Sequence, residues 1–354
     1  MLAFLKNFSK FVVFLFLGLL FLTVLFFFLL NSGKFYQVIL PWVVESRYAD
    51  IKFQEIKIES AKYRFPDQFR FKNIDVHLRY KKEDCTINMI SLDLDRFSRF
   101  FLKQEQANIL TSLSSFSTKD VTVNYADLEL TLSAQKDQAV ALQGKIFVNQ
   151  ALLVDYQLNE AQIEIKGNLE RLELDLLKAA FYGGDLAGQI WMENKPLTPY
   201  QANLKFTLLT TARLDEIYRE LNTHFNGLIS GTINVAGNAQ DIESIKLSVQ
   251  AVSGTKIKAW VIGWLIDYVP VYKEMLPKEL KNIIKQNGFL TADHLNLDLK
   301  NSSARTLQAN VNVKLRKYYL NPNYTYDISI DSRLLEVIKR VERALKTGGI
   351  YGSR

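Results

Sequence analysis

The chain is poor in the residues that build reactive centres. It holds one cysteine, Cys85, and three histidines, His77, His224 and His294, in 354 residues. A single cysteine closes no internal disulfide, so packing and hydrogen bonds must hold the fold. Three histidines far apart in sequence, with no cysteine cluster, offer no zinc-type ligand set. Gly183-Gly184 and the Gly227–Gly231 stretch lack the following Lys-Ser/Thr of a phosphate loop. There is no G-x-S-x-G elbow and no H-E-x-x-H pair. His77 alternates with Val76 and Leu78, which sends it to the polar side of a strand, and His224 follows a helix end. Asp93 and Asp95 share a strand face, where alternating acids more often meet solvent than substrate. No catalytic or metal-ligating residue is nominated, no cofactor is expected, and the reading is non-enzymatic.

Charge of one sign is also scarce. Lys and Arg number 44 against 37 Asp and Glu, a formal charge of +7, with both signs interspersed. No basic block is dense enough for a nucleic-acid footprint, so nucleic acid is not an expected partner. The small excess suits work beside anionic lipid headgroups.

Long apolar runs are absent except for one. Phe11 to Leu30 is twenty residues without a charge, interrupted only by Gly18 and Thr23. At 1.5 Å per residue a helix of that length is about 30 Å, the hydrocarbon thickness of a bilayer. The run exceeds the usual signal-peptide core, and Phe28, Leu29 and Leu30 make a poor cleavage site. A retained, single-pass anchor is therefore expected. Lys6 and Lys10 precede it without an acid, while Lys34 and Arg47 beyond it are offset by Glu45 and Asp50. That bias favours a cytoplasmic N-terminus and an exported body, periplasmic in a Gram-negative cell.

The remainder alternates with period two, the mark of strands with one apolar and one wet face. Examples are Ala202, Leu204, Phe206, Leu208, then Ile229, Gly231, Ile233, Val235, and Leu307, Ala309, Val311, Val313, Leu315. Phase slips, such as Phe69 and Phe71 giving way to Ile74, Val76 and Leu78, predict bulges. The gaps are mostly turns, too short for βαβ crossovers, so the sheet is expected to be antiparallel. Residues 97–118, with Phe97, Phe100, Phe101 and Leu102, read as a short helix or a packed loop.

Helical spacing is confined to three stretches. Residues 211–222 carry Leu214, Ile217, Tyr218 and Leu221, and residues 332–346 carry Leu334, Leu335, Ile338, Val341 and Leu345 before Gly348. Residues 258–286 place Trp260, Val261, Trp264, Leu265 and Tyr268 on a helix broken by Pro270 and Pro277. That segment either caps the sheet with its tryptophans as core, or lies at a membrane interface with Trp260, Trp264 and Tyr268 at headgroup depth. Asp267 excludes a second span.

Leu176 to Met192, LLKAAFYGGDLAGQIWM, reads as strand, Tyr-Gly-Gly turn, strand, and resembles a unit of the AsmA-like family of inner-membrane-anchored envelope proteins. Leu221 to Val235, LNTHFNGLISGTINV, the run from Gly237 to Val249, and Asn287 to Leu299, NGFLTADHLNLDL, resemble later units, and the anchor followed at once by amphipathic strands fits the same pattern. The resemblance is clearest over residues 169–315 and carries no catalytic residues. It implies a mainly β fold: an elongated, curved antiparallel sheet forming an open groove, with a few capping helices and one N-terminal transmembrane helix. It also implies a part in phospholipid movement or outer-membrane homeostasis. The expected organisation is a tip and anchor (1–34), an N-terminal β-rich region (35–168), an AsmA-like β-rich region (169–331, helical insertion 258–286) and a C-terminal amphipathic helix and tail (332–354).

The candidate groove-lining residues are Leu172, Leu174, Leu176, Leu204, Phe206, Ile233, Val235, Leu247, Val249, Leu297, Leu299, Val311 and Val313. So few helices cannot cover so many apolar strand faces, and a curled sheet would leave a channel for an acyl chain. Some fourteen strands at about 4.8 Å would give a groove of roughly 65 Å, short of a whole periplasm. The expected partners are a phospholipid or other acyl-chain lipid, the membrane, and further envelope proteins. The alternative is a non-transporting structural or assembly module whose apolar face is ordinary core.

Overall fold

In a computed structural model the chain is mainly β, with antiparallel strand pairing among the described residues and few helices. The structure describes residues 29–47, 50–65, 67–80, 83–96, 106–133, 140–153, 156–168, 170–193, 199–214, 221–238, 242–267, 278–303, 306–315 and 324–329. The expected anchor lies outside these apart from Leu29 and Leu30, which are helical, and the expected helix 332–346 lies outside them entirely. Among the described residues no helix is long and apolar enough to cross a membrane.

Two compact units part at Gly144/Lys145, inside strand β6 (Ala141–Leu153). The boundary expected between residues 168 and 169 falls at the turn between β7 (Tyr156–Asn168) and β8 (Arg171–Phe181).

The first unit opens with helix α1 (Gly33–Arg47), followed by β1 (Ile51–Arg64), β2 (Gln68–Tyr80), β3 (Glu83–Asp95), β4 (Gln106–Ser117) and β5 (Val121–Ser133), each paired antiparallel with the next. Strands were expected directly after the anchor; α1 corrects that. Its Phe35, Tyr36 and Leu40 repeat at helical spacing and pack on Ile58, Ala61, Phe71, Ile74 and Val76. Strand β4 corrects the helix-or-loop reading of its stretch. Its inner positions are held by Ala107 and Thr111, both buried, and the Thr111 hydroxyl donates to the Ser91 carbonyl at 2.9 Å.

Helix α1 also closes the free edge of β1. Asn31 Oδ1 accepts from the Tyr63 amide at 2.8 Å, Gln37 Nε2 donates to the Ile58 carbonyl at 3.1 Å, and Glu45 Oε1 accepts from the Phe53 amide at 2.7 Å. As the helix number rises the strand number falls, so α1 runs antiparallel along the strand. Three side chains thereby satisfy backbone groups that an edge strand would leave bare.

The second unit continues with β7 and β8, then β9 (Gly184–Glu193) and β10 (Tyr200–Thr210). Short helices α2 (Thr211–Leu214) and α3 (Leu221–His224) follow, at the two ends of the stretch read as one helix; its middle lies outside the described residues. Next come β11 (Phe225–Asn226), β12 (Leu228–Gly237), β13 (Ile242–Ala251) and β14 (Thr255–Lys258). Helices α4 (Ala259–Asp267) and α5 (Lys278–Lys285) precede β15 (Phe289–Ser303), β16 (Thr306–Leu315) and β17 (Tyr324–Ser329). The ladder runs β7–β8–β9–β10–β12–β13–β15–β16–β17, and β14 extends the β13 line against β15. The β8–β9 turn has positive φ at Tyr182 (43°) and Gly183 (84°), the mirror-image turn that suits a two-residue hairpin.

The bulge predicted between Phe71 and Ile74 is present, and the structure adds others, one of them at Leu208 in a stretch read as unbroken alternation. Asn73, Tyr125, Glu160 and Leu208 take positive φ inside β2, β5, β7 and β10. At Ile90, Tyr125, Leu177 and Leu208 the strand slips its phase and leaves a large apolar side chain exposed on the wet side.

Candidate functional site

Cross-strand register in the second unit aligns apolar residues into rows across the strands. One row runs Leu176, Gly188, Leu204, Ile233, Leu247, Leu299. Another runs Leu186, Phe206, Gly231, Val249, Leu297, Val311. A third runs Leu174, Ile190, Ala202, Val235, Ile245. Leu172 opposes Met192, and Val313 opposes Leu295. Directly opposed residues share a face, so all thirteen sequence-nominated residues fall on one face. Six strands at about 4.8 Å spacing make each of the first two rows roughly 24 Å long.

Burial divides the thirteen. Phe206 is 5% exposed, in a cluster with Leu186, Leu209 and Leu214 of α2. Val313 is 2% exposed, inside a closed core with Ile257, Ile262, Leu280, Leu290 and Leu315 under α4 and α5. The other eleven are half-buried. Helix packing in this unit falls mainly on β10, β11 and β14. Val313 is thus core rather than open face, a distinction alternation does not carry.

The helical insertion takes a mixed form. Ala259 and Ile262 of α4 sit in the closed core, whereas Trp260 is 43% exposed, its ring edge-on to His224 at 5.1 Å. Trp264 lies within α4 and Tyr268 outside the described residues.

The wet face is conventional. Lys205 opposes Thr232 and Ala187, and Trp191 donates its indole N–H to Gln201 at 3.2 Å. A cavity of about 340 Å³ lies at the Tyr182–Gly183 turn, lined by Asn159, Asp185, Thr207, Leu208 and Arg213.

In the first unit, His77 Nδ1 lies 3.1 Å from Thr86 Oγ1 across the β2–β3 ladder. Asp93 pairs with Arg70 and Asp95 with Arg96, so the two acids serve separate partners. Among the described residues no group of three His, Cys, Asp or Glu side chains stands close enough to hold a metal. Burial pushes the Cys85 thiol up to about 11.

Among the described residues the arrangement offers extended apolar surface. Comparison with protein-family models, with curated proteins and with solved structures finds no match to this chain.

Proposed function

We propose that this protein is anchored in the inner membrane by its N-terminal helix, projects its β-rich body into the periplasm, and binds or transfers phospholipid along an apolar β-groove, contributing to envelope lipid homeostasis. The observation that carries the reading is the set of rows through Leu176, Leu204, Ile233, Leu247 and Leu299, half-buried and continuous over six strands. Burying a methylene is worth about 0.8 kcal/mol, so a sixteen-carbon chain on such a surface gains on the order of 10 kcal/mol before entropy costs. The resemblance of the Tyr-Gly-Gly hairpin and later units to AsmA-like proteins points the same way. The alternative is an envelope assembly module whose apolar face meets protein.

Site-specific photocrosslinking of the full chain in cells tests this. A benzophenone side chain at Leu204 is expected to capture phospholipid, and one at Lys205, on the opposite face, is not. Crosslinks from Leu204 to protein alone would favour the assembly module, and equal lipid capture at both positions would remove the apolar face as the site. Leu204→Glu is expected to lower lipid capture from a benzophenone at neighbouring Ile233, while Lys205→Glu leaves it unchanged.

A further inference from the structure

We propose that α1 lies in the headgroup layer of the bilayer, with Val38 and Trp42 turned into it, and so seats the free edge of β1 at the membrane surface. The inference goes beyond lipid binding by the sheet and rests on the anchor reading of Phe11–Leu30.

The exposed face of α1 carries it. Val38 and Trp42, one helical turn apart, are each 73% exposed, although Tyr36 and Leu40 of the same helix are packed on the sheet. Lys34 and Ser46 continue the exposed stripe at four-residue spacing, and Arg47 is exposed at the helix end. An apolar stripe ending in a tryptophan and flanked by cations suits the boundary between acyl chains and anionic headgroups.

Chain continuity names the occupant. The apolar run ends at Leu30, and α1 begins at Gly33. Leu29 and Leu30 are helical, while Asn31 and Ser32 are not, so the helix breaks where a chain leaving the bilayer would turn. Beside that break, Phe65 in the β1–β2 turn is 80% exposed, two residues from Tyr63, whose amide donates to Asn31. The acid of α1 is held away from the stripe: Glu45 bonds the Phe53 amide and pairs with Lys52 at 3.7 Å.

The test uses the full chain with Cys85→Ser, reconstituted in vesicles of phosphatidylcholine and phosphatidylglycerol. A polarity-sensitive fluorophore is attached singly at Val38→Cys, Trp42→Cys, Leu20→Cys in the middle of the apolar run, and Lys119→Cys in the exposed β4–β5 turn. Nitroxide lipids labelled at shallow or deep positions serve as quenchers, and far-UV circular dichroism confirms that each variant is folded. The Val38 and Trp42 labels are expected to emit blue-shifted light and to lose most of it to the shallow quencher. The Leu20 label should lose most to the deep quencher, and the Lys119 label should be quenched by neither. If Leu20 is quenched while Val38 and Trp42 behave like Lys119, the anchor stands and this proposal falls. Blue-shifted but unquenched labels on α1 would mean that protein, or a second copy, covers the stripe, which also overturns it. Quenching of Lys119 to the same degree would remove any special role for α1. If even Leu20 escapes, the anchor reading fails and takes the proposal with it.

Discussion

At the scale of single residues, Gly231 is where the apolar rows have no room to spare. A Cβ there would strike the Ser248 carbonyl oxygen and come within 2.6 Å of Cζ of Phe206. Gly231 opposes Phe206 on one side and Val249 on the other, so the aromatic ring occupies the space the missing side chain leaves. Gly231→Ala is therefore expected to destabilise by roughly 1–3 kcal/mol through overpacking, seen as a lower urea midpoint at unchanged slope. Residue identity alone foretold which face each of the thirteen nominated side chains takes, because period two survives wherever the register is unbroken. It did not separate Val313, closed over by Ile262 and Leu280, from Val311 two positions away, because that difference depends on helices arriving from elsewhere in the chain.

At the scale of elements, α1 is held by Tyr36. Its phenol donates to the Leu30 carbonyl at 3.0 Å, and its ring stands edge-on to Phe71 at 4.8 Å. Burial first, and the neighbouring Tyr63 second, push the phenol up to about 12. Because the folded value lies above the ordinary value near 10, the resulting stability is fully present below about pH 10 and is lost as pH rises toward 12. Tyr36→Phe is expected to cost about 1 kcal/mol at neutral pH and to flatten the alkaline fall in stability, compared by denaturation midpoints across that window. The element was hard to see in sequence. Pro41 interrupts its middle, and an anchor followed by strands was the stronger expectation. Strand β4 was hidden differently, since a buried alanine and a buried threonine hold positions where leucine would have made the alternation obvious. The bulge at Asn73, by contrast, was legible because Phe69 and Phe71 give way to Ile74, Val76 and Leu78, a change of parity that only an extra residue reconciles with one apolar face, whereas the bulge at Leu208 was not, since Ala202, Leu204, Phe206 and Leu208 alternate without a break in the sequence.

For the whole molecule, the apolar faces are matched by wet faces laced with exposed ion pairs. Arg79 bonds Asp84 at 2.8 Å and Lys57 bonds Glu55 at 2.7 Å, and these partners hold both carboxyls below their ordinary range. A depressed carboxylate contributes stability above its unfolded value and loses it as pH falls through the folded one. Denaturation midpoints are expected to fall as pH drops below about 4, and Asp84→Asn with Glu55→Gln is expected to shallow that fall. Fold class was readable at this scale because short turns leave antiparallel pairing as the simplest solution. The division at Gly144 was not, since it falls inside a strand with no change of composition to mark it.

The stitched border of β1 has a further consequence. Backbone amides and carbonyls left bare on an outermost strand can template another strand, whether from a second molecule or an unfolded neighbour. Here Asn31, Gln37 and Glu45 occupy such sites along the strand, so polymerisation through this border would first require prising the helix off. The segment that leads out of the apolar run thus also acts as a stopper, making β1 a terminus rather than a junction.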